Sequence, residues 1–163
     1  MAGKRKESCA GRKDRDGEER PVNENVPYKT VNPDFFGMGP DGPTVVGSKC
    51  RECGRVYFPK KTICVDCWQR GEMDVVPLSR RGRLSLYTIA TQTMLNLETP
   101  YACGYVDLPE GVRLFTLLTD CQPFDEKLRL DMEVEMVFEK MMTNDMGEDV
   151  YTYKFRPVAE ERM

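Results

Sequence analysis

The stretch CRECGRVYFPKKTICVDC, from Cys50 to Cys67, carries four of the chain's seven cysteines as two CxxC pairs with ten residues between them. Each CxxC turn aims two sulfurs at one point, and two such turns closing a short hairpin form a tetrahedral four-thiolate site. Gly54 follows the first pair and lets the backbone turn so that its amides face the sulfurs. Zinc is the expected ion at Cys50, Cys53, Cys64 and Cys67, with iron the other metal that four thiolates accept. Four protein ligands leave no position for water or substrate, so the site reads as a structural staple. The reading has an energetic reason. About 20 residues cannot fold on a core of their own, whereas structural zinc contributes about 10–16 kcal/mol in finger peptides. Val56, Tyr57, Phe58, Ile63 and Trp68 are expected to form the apolar skin of this ribbon, with Trp68 covering its flank or docking it on the rest of the chain.

The 163 residues contain no histidine. Every nucleophile–base pair that uses imidazole is thereby excluded from this chain, as are metal sites with histidine ligands. Acid–base chemistry near neutral pH would have to come from another subunit. No run of about 18 apolar residues is present. The N-terminus is polar, so a cytoplasmic location is expected, where paired cysteines serve as metal ligands sooner than as disulfides.

Residues 1–25 read as a disordered charged tail. The first twenty hold seven Lys/Arg and five Asp/Glu, too polar to offset ordering entropy. That leaves 17 basic and 22 acidic residues, net −5, over residues 21–163. Residues 26–48 form a pre-ribbon arm rich in proline and glycine. There, Phe35, Phe36 and Met38 are candidates for an anchor or a short helix start after Asn32-Pro33. Thr44–Val46 suggests a short strand. The ribbon is placed at 49–74. From 75 to 160 the texture changes to five β-branched and aromatic segments: RLSLYTIATQT, YACGYVDL, VRLFTLLT, EVEMVFEKM and VYTYKFRP. Their partial alternation reads as strands. The LPEGV and MTNDMGED stretches supply turns, and DCQPFDEKLRLDM a loop. Five strands in so short a segment fit an OB-type barrel. The fold class is therefore mainly β, a four-cysteine zinc ribbon followed by a five-stranded OB-type barrel.

Lys60 and Lys61 at the ribbon tip, and Arg80, Arg81 and Arg83 at the barrel entry, are candidates for phosphate contacts, either of nucleic acid or of a nucleotide-like cofactor, or alternatively for a solvated surface. Cys103 reads as a small core residue. Glu133, Glu135 and Glu139 alternate along one strand as the polar face of a half-exposed sheet. No residue stands out as catalytic. A nucleic-acid-binding module is the alternative reading, with Tyr87, Tyr101, Tyr105 and Phe115 available to stack bases. The acidic balance and the expected core packing of those rings argue against it.

The combination of CRECG, FP, CVDC, RGRLSLYTIAT, TPYACGYVDLPEGVRLFTLL and MEVEMVFE resembles a family of small proteins that join a rubredoxin-like zinc ribbon to an OB-fold. The resemblance covers roughly residues 44–158. It implies a non-catalytic accessory subunit that works with a thiolase-like catalytic partner and helps bind acyl-CoA. It also implies that the catalytic cysteine and histidine groups lie on the partner, in agreement with the missing histidines. No membrane association is implied, and nucleic acid is not an expected partner.

Overall fold

The computed structural model describes residues 26–39, 41–68, 73–93, 97–124, 126 and 128–158. The tail expected over residues 1–25, with Cys9, lies outside the described residues.

After a 3₁₀ turn at Pro33–Phe35, capped by the Asn32 side chain, the described residues form nine strands: β1 (Phe36–Gly39), β2 (Gly42–Cys50), β3 (Val56–Tyr57), β4 (Met73–Pro77), β5 (Arg81–Ala90), β6 (Tyr101–Asp107), β7 (Arg113–Leu118), β8 (Glu133–Thr143) and β9 (Asp149–Pro157). Among the described residues no α-helix occurs, and no helix is long and apolar enough to cross a membrane.

The first four strands share one sheet through β2. The leading half of β2 pairs with β1, and its trailing half pairs with β3 and β4. The strand expected at Thr44–Val46 thus extends in both directions and ends on the ligand Cys50. The last five strands close a barrel in the order β5-β6-β7-β9-β8. All neighbours are antiparallel except β7 and β9. This is the five-stranded Greek-key closure of an OB-fold.

Period-2 alternation decides what each strand buries. Leu84, Val106, Leu114, Val134 and Phe155 fill the interior and are essentially inaccessible. The β6–β7 hairpin turns at Leu108–Val112, where Gly111 has φ 79°. Outside, Glu135 pairs with Arg156, Glu139 with Lys154 and Glu133 with Arg81, as expected of a polar sheet face. At β5 a register shift between Leu84 and Leu86 brings the Leu86 carbonyl onto β6. A Cβ at Gly104 would lie 2.2 Å from that oxygen, so only glycine fits.

Two aromatic residues depart from the expected core packing. Tyr105 and Phe115 occupy outward positions on β6 and β7, are exposed, and meet edge to face at 5.4 Å. Residues 105 and 115 face each other in register, so the parity that buries Val106 and Leu114 turns them outward.

The core does not stop at the barrel wall. Phe36, Val45 and Leu78 belong to the same buried cluster as the barrel interior. Seven rings form an unbroken succession from the arm to the ribbon: Tyr28 to Tyr151 (4.8 Å), Tyr151 to Phe138 (5.7 Å), Phe138 to Phe36 (5.3 Å), Phe36 to Tyr153 (6.0 Å), Tyr153 to Phe58 (6.1 Å) and Phe58 to Phe35 (5.0 Å). The aromatic pair of the arm is an anchor on its own chain. Phe58, in the ribbon, carries the contact to the barrel.

Candidate functional site

The two cysteine turns are built alike. Cys50 ends β2, and the Gly54 amide donates to its carbonyl at 3.0 Å. In the second turn the Trp68 amide donates to the Cys64 carbonyl at 2.9 Å. Each i+4 bond tightens a turn that points two sulfurs the same way. The four sulfurs lie within 4.8 Å of one another, with Cys50 and Cys67 3.5 Å apart, and likewise Cys53 and Cys64. Tetrahedral Zn–S bonds of about 2.3 Å put neighbouring sulfurs about 3.8 Å apart. The cluster therefore fits one structural zinc, which Cys50, Cys53, Cys64 and Cys67 would hold. Cys50 and Cys64 are buried, Cys67 half-buried and Cys53 exposed.

A phenol supports the cluster. The Tyr57 hydroxyl lies 3.2 Å from the Cys64 sulfur and also reaches the Asp66 carboxylate, so its one proton is shared between these two acceptors. Its hydrogen bond is the main reason that the Cys64 thiol is pushed down to about 6, with the Cys67 and Asp66 amides assisting against desolvation. A thiolate is the metal-ligating form, so this residue favours coordination. Asp66 is in turn held by Arg55 at 3.0 Å. Sequence reasoning assigned Tyr57 only to the apolar skin. The missed signal was an aromatic hydroxyl spaced to reach back to the second turn.

Trp68 corrects the expectation more strongly. It neither covers the ribbon nor docks it, being 79% exposed, and its φ is 56°. The residue after each CxxC adopts the left-handed conformation. In the first turn it is Gly54 with φ 73°, in the second the bulkiest side chain available. Ile63 is also more exposed than a skin residue should be.

Residues 41–74 match the family described as "ChsH2, rubredoxin-like zinc ribbon domain", and residues 75–139 match "ChsH2, C-terminal OB-fold domain". The benzoylsuccinyl-CoA thiolase subunit BbsA of Thauera aromatica is 37% identical over 129 residues, covering 78% of this chain and 87% of the relative. The chain belongs to the ChsH2 family. A DUF35 domain-containing scaffold protein of Methanothermobacter thermautotrophicus is 35% identical over 118 residues, covering 69% of this chain and 86% of the relative. Among solved structures, the Ltp2–ChsH2(DUF35) aldolase superposes with a TM-score of 0.58 at 26% identity, over 70% of this chain and 84% of that one.

In this ChsH2-family chain the basic candidates fall into two groups. On the ribbon, the Lys61 amide donates to Ser48 Oγ at 2.8 Å, and its ammonium lies 5.0 Å from the centre of the Tyr57 ring. Lys60 precedes it and is half-buried. At the barrel entry the Arg80 guanidinium donates to the Asp41 and Met136 carbonyls, both at 3.4 Å. Arg81 pairs with Glu133 at 3.5 Å, and Arg83 donates to the Asp131 carbonyl at 3.0 Å. Arg81 and Arg83 are exposed, and such pairs are worth well under about 1 kcal/mol, so a phosphate can compete for them. Arg80, held by the fold, is the least available.

Proposed function

We propose that this chain is a non-catalytic accessory subunit of an acyl-CoA thiolase complex in the cytoplasm. The observation that carries the reading is 37% identity, over most of both chains, to a protein named as a benzoylsuccinyl-CoA thiolase subunit. Chemistry supports it. The four-cysteine cluster is a closed site, and the chain holds no histidine. The groups that cleave a carbon–carbon bond at the thioester then belong to a thiolase-like partner. This chain supplies a rigid scaffold and helps hold the CoA thioester. Lys60, Lys61, Arg80, Arg81 and Arg83 are its contacts to the CoA phosphates, with Arg80 the least available of them. The substrate is benzoylsuccinyl-CoA, cleaved with CoA to benzoyl-CoA and succinyl-CoA. Zinc, when bound, supplies no chemistry to that reaction and only rigidifies the ribbon.

The experiment is copurification from the native cells on a tagged chain, with mass identification of the partner and an assay of thiolytic cleavage. A thiolase-like subunit should come down, and its activity should fall when this chain is removed. Full activity of the partner alone would refute the reading. Neutralising Lys60, Lys61, Arg81 and Arg83 should raise the KM for the CoA thioester more than it alters the melting temperature. Unchanged kinetics would return these residues to a solvated surface.

One observation favours the nucleic-acid reading. Tyr105 and Phe115 are exposed on β6 and β7, the strands that bind oligonucleotides in OB-folds. The charge opposes it, because residues 73–158 hold nine basic and fourteen acidic residues. A gel shift at low salt without binding to single strands closes this alternative.

A further inference from the structure

The four ligands of the metal cluster are not equivalent. Cys64 is 0% exposed and Cys50 1%, whereas Cys53 is exposed. Their hydrogen bonds differ as well. The Cys64 sulfur receives the backbone amides of Asp66 and Cys67 and, at 3.2 Å, the Tyr57 hydroxyl. Cys53 receives the Arg55 amide, and no side-chain hydroxyl among the described residues reaches it.

Tyr57 is held for its contact. Strand β3 pairs it with Ser48, the Lys61 amide donates to Ser48 Oγ, and the Lys61 ammonium sits 5.0 Å from the ring centre. The hydroxyl also meets the Asp66 carboxylate, which Arg55 holds at 3.0 Å. Four thiolates around one Zn²⁺ form an anionic cluster, so a loaded site draws the shared phenol proton toward sulfur. A hydrogen bond to a charged acceptor is a strong one, and a thiolate stabilised in this way is also the poorer nucleophile.

Solvent reaches the cluster elsewhere. A concavity of about 670 Å³, bordered by Lys49, Arg51, Gly54, Asp74 and Val76, touches Cys50 and Cys53, while neither Cys64 nor Cys67 lines it. Of its two sulfurs, that of Cys53 is the exposed one. Attack on a cysteine follows thiolate character and exposure.

We propose that the metal site is held shut at Cys64 and opens at Cys53. Tyr57 is a positioning residue whose hydroxyl retains the Cys64 thiolate on the metal, and Cys53 is the ligand at which a soft electrophile reacts and frees the zinc. With an alkyl halide, the Cys53 thiolate attacks the halide-bearing carbon. The sulfur–carbon bond forms, the carbon–halogen bond breaks, and halide leaves with its electron pair. The product is an uncharged thioether, so the metal loses a thiolate ligand. The inference rests on the four-cysteine metal site and is independent of the accessory-subunit reading.

The test uses the full-length, zinc-loaded chain in two arms. In the first, limiting iodoacetamide is added, labelled cysteines are mapped by mass spectrometry, and a chromogenic chelator reports released zinc. Among the four ligands, Cys53 should carry the first label, with zinc released in step, and Cys64 the last. In the second arm, Tyr57→Phe keeps the ring and removes only the hydroxyl. Its zinc affinity, from competition with a chelator of known affinity, should fall about tenfold or more, the usual loss when an outer partner of a metal ligand is removed. With cobalt(II) in place of zinc, the sulfur-to-cobalt charge-transfer band should move to longer wavelength, because the sulfur lone pair is no longer stabilised.

A first label on Cys50, Cys64 or Cys67, or zinc retained after Cys53 is labelled, would overturn the opening at Cys53. A Tyr57→Phe affinity within about threefold of wild type would overturn the role of the hydroxyl. So would a fall in affinity with an unmoved cobalt band, since the side chain would then act through packing alone. The labelling arm needs no variant, so it decides the order of opening even where Tyr57→Phe does not fold.

Discussion

Replacing Phe36 by alanine tests whether the arm, the ribbon and the barrel share one core. Phe36 begins β1, outside the barrel strands, yet it is 1% exposed and packs edge to face on Phe138 at 5.3 Å and against Tyr153 at 6.0 Å. Truncating a buried phenylalanine costs about 3–5 kcal/mol in transfer and cavity terms. Two aromatic neighbours put this site in the upper half of that range, at about 4 kcal/mol. With a urea slope of about 1.5 kcal/mol/M, the unfolding midpoint should fall by about 2.5 M. Phe36→Leu keeps most of the volume and should lower it by about 1 M. Far-ultraviolet circular dichroism at saturating zinc is the suitable readout, because the chain's one tryptophan is exposed and reports poorly on the core. Both variants should unfold in a single transition. A shift below about 0.5 M for Phe36→Ala, or an early transition that leaves the barrel signal unchanged, would show that the arm is an appendage and that the shared core is wrong.

Cys50→Ser or Cys64→Ser should abolish stoichiometric zinc binding, checked by metal analysis, and loosen the ribbon to proteolysis while the barrel strands persist; retained zinc would contradict the ligand assignment. Gly104→Ala should cost about 3 kcal/mol or more, because the added carbon meets the Leu86 carbonyl and not a movable side chain, and a thermal melt gives the value. Burial pushes the Tyr153 hydroxyl up to about 12 from an ordinary value near 10. Its contribution to stability is therefore complete below pH 10 and is lost as pH rises from 10 to 12. Tyr153→Phe should flatten that alkaline limb and lower stability at neutral pH by about 1 kcal/mol, through loss of the 2.9 Å bond to the Phe115 carbonyl.

Much of this was legible in the sequence for local reasons. The CxxC spacing fixes how four sulfurs meet, and alternation of the kind seen in YACGYVDL fixes which side of a strand is buried. What escaped depended on contacts between distant segments or on backbone dihedrals. Nothing in CVDCW announces a positive φ, so Trp68 read as ordinary apolar skin. Phe58 read as skin too, and only the fold brings it to Tyr153, 95 positions later. Tyr105 and Phe115 read as core by residue type, although the parity of β6 and β7 turns them outward. The arginines at 80, 81 and 83 read as one cluster. Strand alternation separates them, leaving Arg80 against backbone carbonyls and the other two beside carboxylates.

The succession of seven rings bears on how such a chain can be recombined. The family descriptions divide it between residues 74 and 75, a natural place to cut when grafting the metal-bearing half onto a different barrel. A cut there leaves Tyr153 facing the space that Phe58 and Phe36 occupied, and a foreign barrel offers the incoming half no ring to meet. Successful chimeras should be those that transfer the three phenylalanines together with their receiving rings on β8 and β9. The transferable unit is then defined by an aromatic seam, not by a boundary along the chain.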